Sequence, residues 1–273
     1  MKKKLNTFNL KPKKYLGQNF LKNKKIAYKI VDYLEIADNE TIVEIGAGKG
    51  ELTKPILEKA HFKKSTSVIA VEKDKTLYEI LKEKFKNCSN FKILNSDILK
   101  INPEKLGLKK NNYKVIGNIP YYLTGELLKK LLENWPKPKK IILMLQEEVA
   151  LRITANNKGS FLTNMTQLLA NSKILMKVDK KNFYPQPKVN SMVVEFIPYS
   201  QKPKNFKKLK KILKAGFAHP RKYLITNLEK ELNLNKAEIL KIFKKLNLDL
   251  KIRAENLKLK DWQILINYLD FML

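Results

Sequence analysis

The 273-residue sequence predicts an α/β fold, a mostly parallel, doubly wound sheet with an antiparallel terminal strand, followed by a small all-helical domain. Three observations predict it. Short β-branched apolar runs alternate with longer amphipathic segments through the first half of the chain. A glycine-rich turn follows the first of those runs, where such sheets bind ligands. Beyond a proline-bearing polar stretch, the apolar spacing changes to the i, i+3, i+4 of amphipathic helices.

The apolar runs place strands at 41–45, 68–72, 91–95, 113–117 and 140–145. Segments 173–179 and 191–197 read as a final strand pair, joined through a proline-bearing loop at 183–187. From 198 to 208 the chain is polar and lysine-rich, and Pro203 breaks any helix, so a linker is expected there. The expected domains are therefore 1–199 and 200–273. In the second, Leu209, Ile212 and Leu213, then Leu224, Ile225 and Leu228, then Trp262, Leu265, Ile266 and Leu269 carry the helical spacing. Asn235 followed by Glu238 reads as a helix start, because both side chains can satisfy orphan backbone amides.

The charge is extreme: 56 Lys and Arg against 26 Asp and Glu, a formal net charge of +30. Such a field calls for an anionic partner. Only Arg152, Arg221 and Arg253 are arginines, and lysines bind phosphate as point charges, so a polyanion contacted through its backbone is expected. Cys88 is the sole cysteine, which excludes an intrachain disulfide and a cysteine-based zinc site and points to a reducing, cytoplasmic compartment. Met1-Lys-Lys-Lys4 is followed by Asn6, Thr7 and Asn9 rather than an apolar stretch, so it does not read as a secretory signal. No run of about twenty apolar residues would span a membrane.

After the first strand come Gly46, Gly48 and Gly50 in Glu44-Ile-Gly-Ala-Gly-Lys-Gly-Glu51. Glycines there let the backbone approach a ligand closely. A dinucleotide fingerprint needs its third glycine at position 51, where Glu51 stands and would repel a pyrophosphate, so a cofactor without phosphate is favoured. The second strand ends at Glu72, from which a carboxylate can accept both hydroxyls of a ribose. Asp97 ends the third strand, placed to accept an adenine amino group while Ile98 packs on the ring. Three consecutive strand ends with suitable groups mark one site.

The fourth strand ends in Asn118-Ile-Pro-Tyr121. An adenine amine is a poor nucleophile because its lone pair is delocalised into the ring. A side-chain amide oxygen and a backbone carbonyl that both accept hydrogen bonds from it would favour a pyramidal, reactive nitrogen. Pro120 stiffens the turn presenting those acceptors, and Tyr121 offers a face for the purine.

With these residues in view, the chain resembles the small-subunit ribosomal RNA adenine dimethyltransferases over nearly its whole length. Leu16-Gly-Gln-Asn-Phe-Leu21 looks like that family's N-terminal cofactor motif, and 44–53, 71–74, Ser96-Asp-Ile98 and Asn118 to Tyr121 follow in order. Gln146-Glu-Glu-Val149 with Arg152, and Phe183-Tyr-Pro-Gln-Pro-Lys-Val-Asn-Ser191, match later blocks. The resemblance implies a Rossmann-like methyltransferase domain, S-adenosyl-L-methionine as cofactor, and dimethylation at N6 of two adjacent adenosines in the 3′-terminal hairpin of small-subunit ribosomal RNA. It implies that Gln18, Asn19, Leu21, Gly46, Gly48, Glu72, Lys73, Asp97, Ile98 and Asn118 line the cofactor pocket. Asn118, Ile119, Pro120 and Tyr121 would hold the target amine, and Phe183 would cover the other face of the flipped adenine. Phe183 equally suits a buried core position.

The helical domain resembles the family's RNA-binding part in Arg221-Lys222, Leu224, Asn227 and Arg253-Ala-Glu255. Arg152, Lys188, Arg221 and Lys222 are the implied RNA contacts. The chain departs from the family at His219-Pro220, where polar or basic residues are usual, and at Phe161, where Tyr is common. The expected partner is ribosomal RNA or an immature small ribosomal subunit, the chain acts as a monomer, and no metal is implied. The rival readings are a related enzyme that methylates large-subunit RNA and confers macrolide resistance, and a non-catalytic RNA-binding assembly factor. A nicotinamide oxidoreductase is disfavoured by Glu51.

Overall fold

The computed structural model of the protein describes residues 11–154 and 159–269, so Met1 to Lys4 lie outside the described residues. Nine strands are present among them: β1 (Phe20–Leu21), β2 (Thr41–Ile45), β3 (Ser67–Glu72), β4 (Phe91–Asn95), β5 (Tyr113–Asn118), β6 (Lys140–Gln146), β7 (Ala170–Val178), β8 (Phe183–Tyr184) and β9 (Ser191–Pro198). Seven form one sheet in the order β4-β3-β2-β5-β6-β9-β7. The pairings β2 with β3, β2 with β5, β3 with β4 and β5 with β6 are parallel, and β9 runs antiparallel to β6 from Ile141↔Phe196 to Gln146↔Ser191. The parallel strands of this Rossmann-like sheet are those the alternating pattern predicts; the antiparallel strand is β9, last of the sheet in the chain, which lies between β6 and β7.

The central strands are buried on both faces, as parallel strands between helical layers must be. Ile42, Val43, Val68, Val115 and Ile142 are fully enclosed. Helices α1 (Lys24–Asp32), α2 (Thr53–His61), α3 (Lys75–Lys84) and α4 (Thr124–Lys129), the last continuing as a π-helical turn over Lys130–Asn134, connect or flank these strands, and α5 (Glu147–Thr154) follows β6. The Asn23 and Asp74 side chains accept from the Ile26 and Thr76 amides and so start α1 and α3.

The 183–187 segment differs from its expected loop. Phe183 and Tyr184 form β8, antiparallel to β1 with Phe20 opposite Tyr184 and Leu21 opposite Phe183. Two-residue strands are too short for a period-2 pattern to reveal.

The described residues divide into two compact units, one within 1–150 and 172–198, the other within 151–171 and 199–273. The break at Pro198 lies beside the expected boundary, whereas 151–171, expected within the sheet domain, belongs to the helical unit. The reason is α6 (Phe161–Leu169), whose apolar face packs against α7 (Phe206–Gly216) and α10 (Leu259–Leu269). The rest of that unit is α8 (Leu224–Leu232) and α9 (Lys236–Lys245), the latter capped by Asn235 accepting from the Ala237 amide. The linker is shorter than expected, since α7 already begins at Phe206. Trp262 is fully buried, and Gly216 is required beside it, because a Cβ there would stand 2.3 Å from the indole. Among the described residues no helix is long and apolar enough to cross a membrane.

Candidate active site

The carboxyl ends of β2, β3 and β5, the loop after β4 and the segment before and through β1 open onto one cavity. All ten expected cofactor residues line it, from Gln18 and Asn19 through Gly46, Gly48, Glu72, Lys73, Asp97 and Ile98 to Asn118, with Leu21 at the β1 side. Ile119, Pro120 and Tyr121 line it as well. Ligand sites at this end of a parallel sheet follow from the topology, since the loops there are free to carry function.

The glycine turn is shaped for close approach. Gly46 and Gly48 have φ of 69° and 61°. A Cβ on Gly48 would meet Phe20 and Glu51 at 3.3 Å, so a larger residue would close the cradle. Glu72 braces the turn: its carboxylate accepts the Gly48 amide at 2.9 Å and the Asp74 amide at 2.8 Å. Burial pushes Glu72 above the ordinary carboxylate range, and those amides only partly offset it. Asp97 accepts the Leu99 amide at 3.0 Å and pairs with Lys73 at 2.9 Å. Burial raises Asp97, but the Lys73 and Leu99 hydrogen bonds outweigh it and leave the group below its usual range. Lys73 thus sits on Asp97, where the sequence places an adenine amino group. These glycines, the Glu72 carboxylate and the apolar Ile98 fit a ribose and a flat base without phosphate.

The segment 16–21 is tied to the sheet by side chains. Gln18 accepts the Lys13 amide at 2.8 Å and donates to Asp74 at 2.9 Å. Asn118 donates its Nδ2 to the Asn19 carbonyl at 3.0 Å, which turns Oδ1 into the free acceptor. In the turn that follows, the Pro120 carbonyl takes the Leu123 amide and the Tyr121 carbonyl takes the Thr124 hydroxyl. Among the described residues the Ile119 carbonyl accepts no hydrogen bond. Tyr121 is half-buried, its phenol 2.9 Å from the Ser191 hydroxyl, and burial raises its pKa.

Phe183 is not brought to this site. Its ring is 2 % exposed, packs in the core with Leu21, Ala27 and Val178, and does not line the cavity. The strand pairing turns Phe183 inward and leaves its neighbour Tyr184 outside, as alternation along a strand requires. Arg152, Lys188, Arg221 and Lys222 are exposed and lie outside the cavity, Lys188 in the sheet unit and the other three in the helical unit. Asn227 is buried and donates to the Gly216 and His219 carbonyls, so it ties the turn between α7 and α8.

Three cavity or supporting residues escaped the sequence reading. Tyr122 lines the cavity while 63 % exposed, signalled only by a second aromatic after the tetrad. Ser191 carries no sequence signal for its contact with Tyr121. Glu44 has one, an acid inside an apolar strand. It is 1 % exposed, accepts the Thr53 hydroxyl at 2.7 Å, and burial pushes it up to about 8. The folded protein therefore holds a proton that the unfolded chain releases near pH 4.5, so this group's contribution to stability is complete below that pH and is lost as pH rises through about 8. Glu44→Gln is expected to remove up to about 1.4 kcal/mol per pH unit of that decline. Chemical unfolding of both proteins between those limits measures it, and identical slopes would refute a protonated Glu44.

The ribosomal RNA adenine dimethylase family matches residues 9–270. A ribosomal RNA small subunit methyltransferase A of Mycoplasmopsis pulmonis is 37 % identical over 262 residues, covering 94 % of this chain and 98 % of the relative. The protein of that name from Dehalococcoides mccartyi is 34 % identical over 266 residues, covering 96 % and 90 %. Among solved structures, a dimethyladenosine transferase from Plasmodium falciparum superposes with a TM-score of 0.73 at 25 % identity, covering 92 % of this chain and 98 % of the other. The 23S rRNA methyltransferase ErmE superposes with a TM-score of 0.71 at 22 % identity over 92 % and 99 %, a likeness of fold.

Proposed function

Because the chain belongs to the ribosomal RNA adenine dimethylase family, we propose that it dimethylates N6 of two adjacent adenosines in the 3′-terminal hairpin of small-subunit ribosomal RNA, using S-adenosyl-L-methionine. The observation that carries this reading is the tip of β5, where Asn118 Oδ1 and the Ile119 carbonyl both remain available as acceptors beside the glycine turn. When bound, the cofactor supplies an electrophilic methyl on a sulfonium. Asn118 Oδ1 and the Ile119 carbonyl would each accept a hydrogen bond from the amine, drawing the nitrogen lone pair out of conjugation and aiming it. Tyr121, held by Ser191, would stack on the purine and keep water from it. Gly46, Gly48, Glu72 and Ile98 would hold the cofactor, with Glu72 on the ribose. Lys73 would yield Asp97 to the adenine amine, one ion pair exchanged for one hydrogen bond. Phe183 would act from the core, setting β8 and through it β1, rather than by touching the base.

The net charge of +30 and the exposed Arg152, Lys188, Arg221 and Lys222 suit a folded RNA held by its phosphates, with an immature small subunit as the substrate particle, a monomeric enzyme and a cytoplasmic location. Incubating the protein with labelled S-adenosyl-L-methionine and immature small subunits is expected to yield dimethyladenosine at two neighbouring positions. Label confined to large-subunit RNA would overturn the assignment.

A further inference from the structure

A second cavity, of about 580 Å³, lies beyond the glycine turn and shares Phe20, Leu21 and Glu51 with the first. Its walls carry Lys22, Lys24, Lys49, Lys54 and Lys84. Among the described residues, no carboxylate lies within ion-pair distance of Lys22, Lys24, Lys49 or Lys84, and Lys54 reaches Glu58 only at 3.7 Å. Glu58 is engaged by the Tyr28 hydroxyl as well, and burial holds Glu51 above the ordinary carboxylate range. Five lysines thus share this cavity with one lining carboxylate, Glu51, and none of the five has a close ion pair of the kind that engages Lys13, Lys73, Lys114 and Lys140 elsewhere. Lys84 rests on the Lys49 carbonyl at 3.0 Å, and desolvation draws its ammonium below lysine's usual range, which favours an anion beside it.

An aromatic face completes the cavity. Tyr184 is 56 % exposed on its wall, opposite Phe20 in the β1–β8 pair. Phe20 directly follows Asn19, whose carbonyl holds Asn118. One strand residue rises about 3.3 Å and cross-strand partners stand about 5 Å apart. The two cavities adjoin through Phe20, which lines both and stands one residue after the Asn19 that holds the amine-holding tip. The lysine cavity's volume falls within the roughly 300–1,000 Å³ of sites that take small ligands.

We propose that this cavity is a subsite for the substrate strand, in which the lysines hold one phosphodiester flanking the target adenosine and Tyr184 stacks the adjoining base. It rests on the RNA-methylating reading of the first cavity and extends it. Lysine point charges with an exposed ring are the combination that single-stranded nucleic acid needs, charge for the backbone and a π-face for the base.

The test is binding of a short single-stranded RNA containing the target adenosines, with its linkages replaced one at a time by uncharged methylphosphonate. In the natural protein one linkage beside the target should cost on the order of tenfold in Kd when neutralised. In Lys24→Ala/Lys54→Ala that linkage should become insensitive while the others keep their effect, and the slope of log affinity against log salt should fall by about 0.7, the share of one phosphate on a single strand. Tyr184→Ala should weaken binding by about tenfold with an unchanged linkage profile. Calorimetric affinity for S-adenosyl-L-methionine reports that each variant is folded. An unchanged linkage profile in the lysine variant overturns the proposal, as does inorganic phosphate binding the cavity while RNA affinity ignores both variants. The scan needs no methyl transfer, so it is independent of whether dimethyladenosine is formed.

Discussion

Asn118→Ala is expected to lower the single-turnover rate of methyl transfer by about 10²–10³, the scale of removing one preorganised hydrogen-bonding group from a developing charge. RNA affinity should change by less than about twofold, because the lysine surface that would supply it is distributed elsewhere. Nδ2 is committed to the Asn19 carbonyl at 3.0 Å, so Oδ1 is the atom left to accept from a ligand. Alanine removes both the acceptor and the tether. Rapid-quench measurement with labelled cofactor separates the chemical step from binding. A variant that transfers methyl groups within threefold of the natural rate would refute the role assigned to the amide oxygen.

Glu72→Ala should raise the Kd for S-adenosyl-L-methionine by about a hundredfold and lower stability by about 1–3 kcal/mol. The two effects have separable origins. The carboxylate accepts the Gly48 and Asp74 amides at 2.9 and 2.8 Å, and losing it orphans two donors at the glycine turn. Glu72 also lines the cavity, where its carboxylate would meet the ribose. Glu72→Gln should recover part of the stability and less of the affinity. Because burial raises Glu72 above the ordinary range, cofactor affinity should weaken at a milder acidity than an exposed glutamate would impose, and the glutamine variant should lack that dependence. Calorimetry across pH reads both. An alanine variant with unaltered affinity would remove Glu72 from the site.

Much of this site is legible in the sequence because a parallel sheet forces it. Once β2, β3 and β5 are recognised by their apolar runs, the residues at their carboxyl ends must converge, and Gly46, Glu72 and Asn118 do so. What stayed hidden depends on contacts between distant segments. A two-residue ribbon has no periodicity, so β1 and β8 read as a motif and a loop, and nothing in the Phe183-Tyr184 pair says which ring faces inward. The Lys73 bond to Asp97 was equally invisible, since adjacent strand ends reveal proximity but not which group occupies which. Lys114 interrupts an apolar strand and looks misplaced until Glu40 is found 2.8 Å away at the far end of the sheet. The grouping of 151–171 with the helical unit likewise follows from the partners of α6, which no local pattern specifies.

The Asn19 to Asn118 hydrogen bond joins positions 99 residues apart and makes two tasks mechanically inseparable. The strip of chain that would clasp the sulfonium ligand is also the peg on which the amide hangs. Peeling that strip away, by cleavage or by an antibody, would disarm methyl transfer while leaving every strand of the large sheet in register.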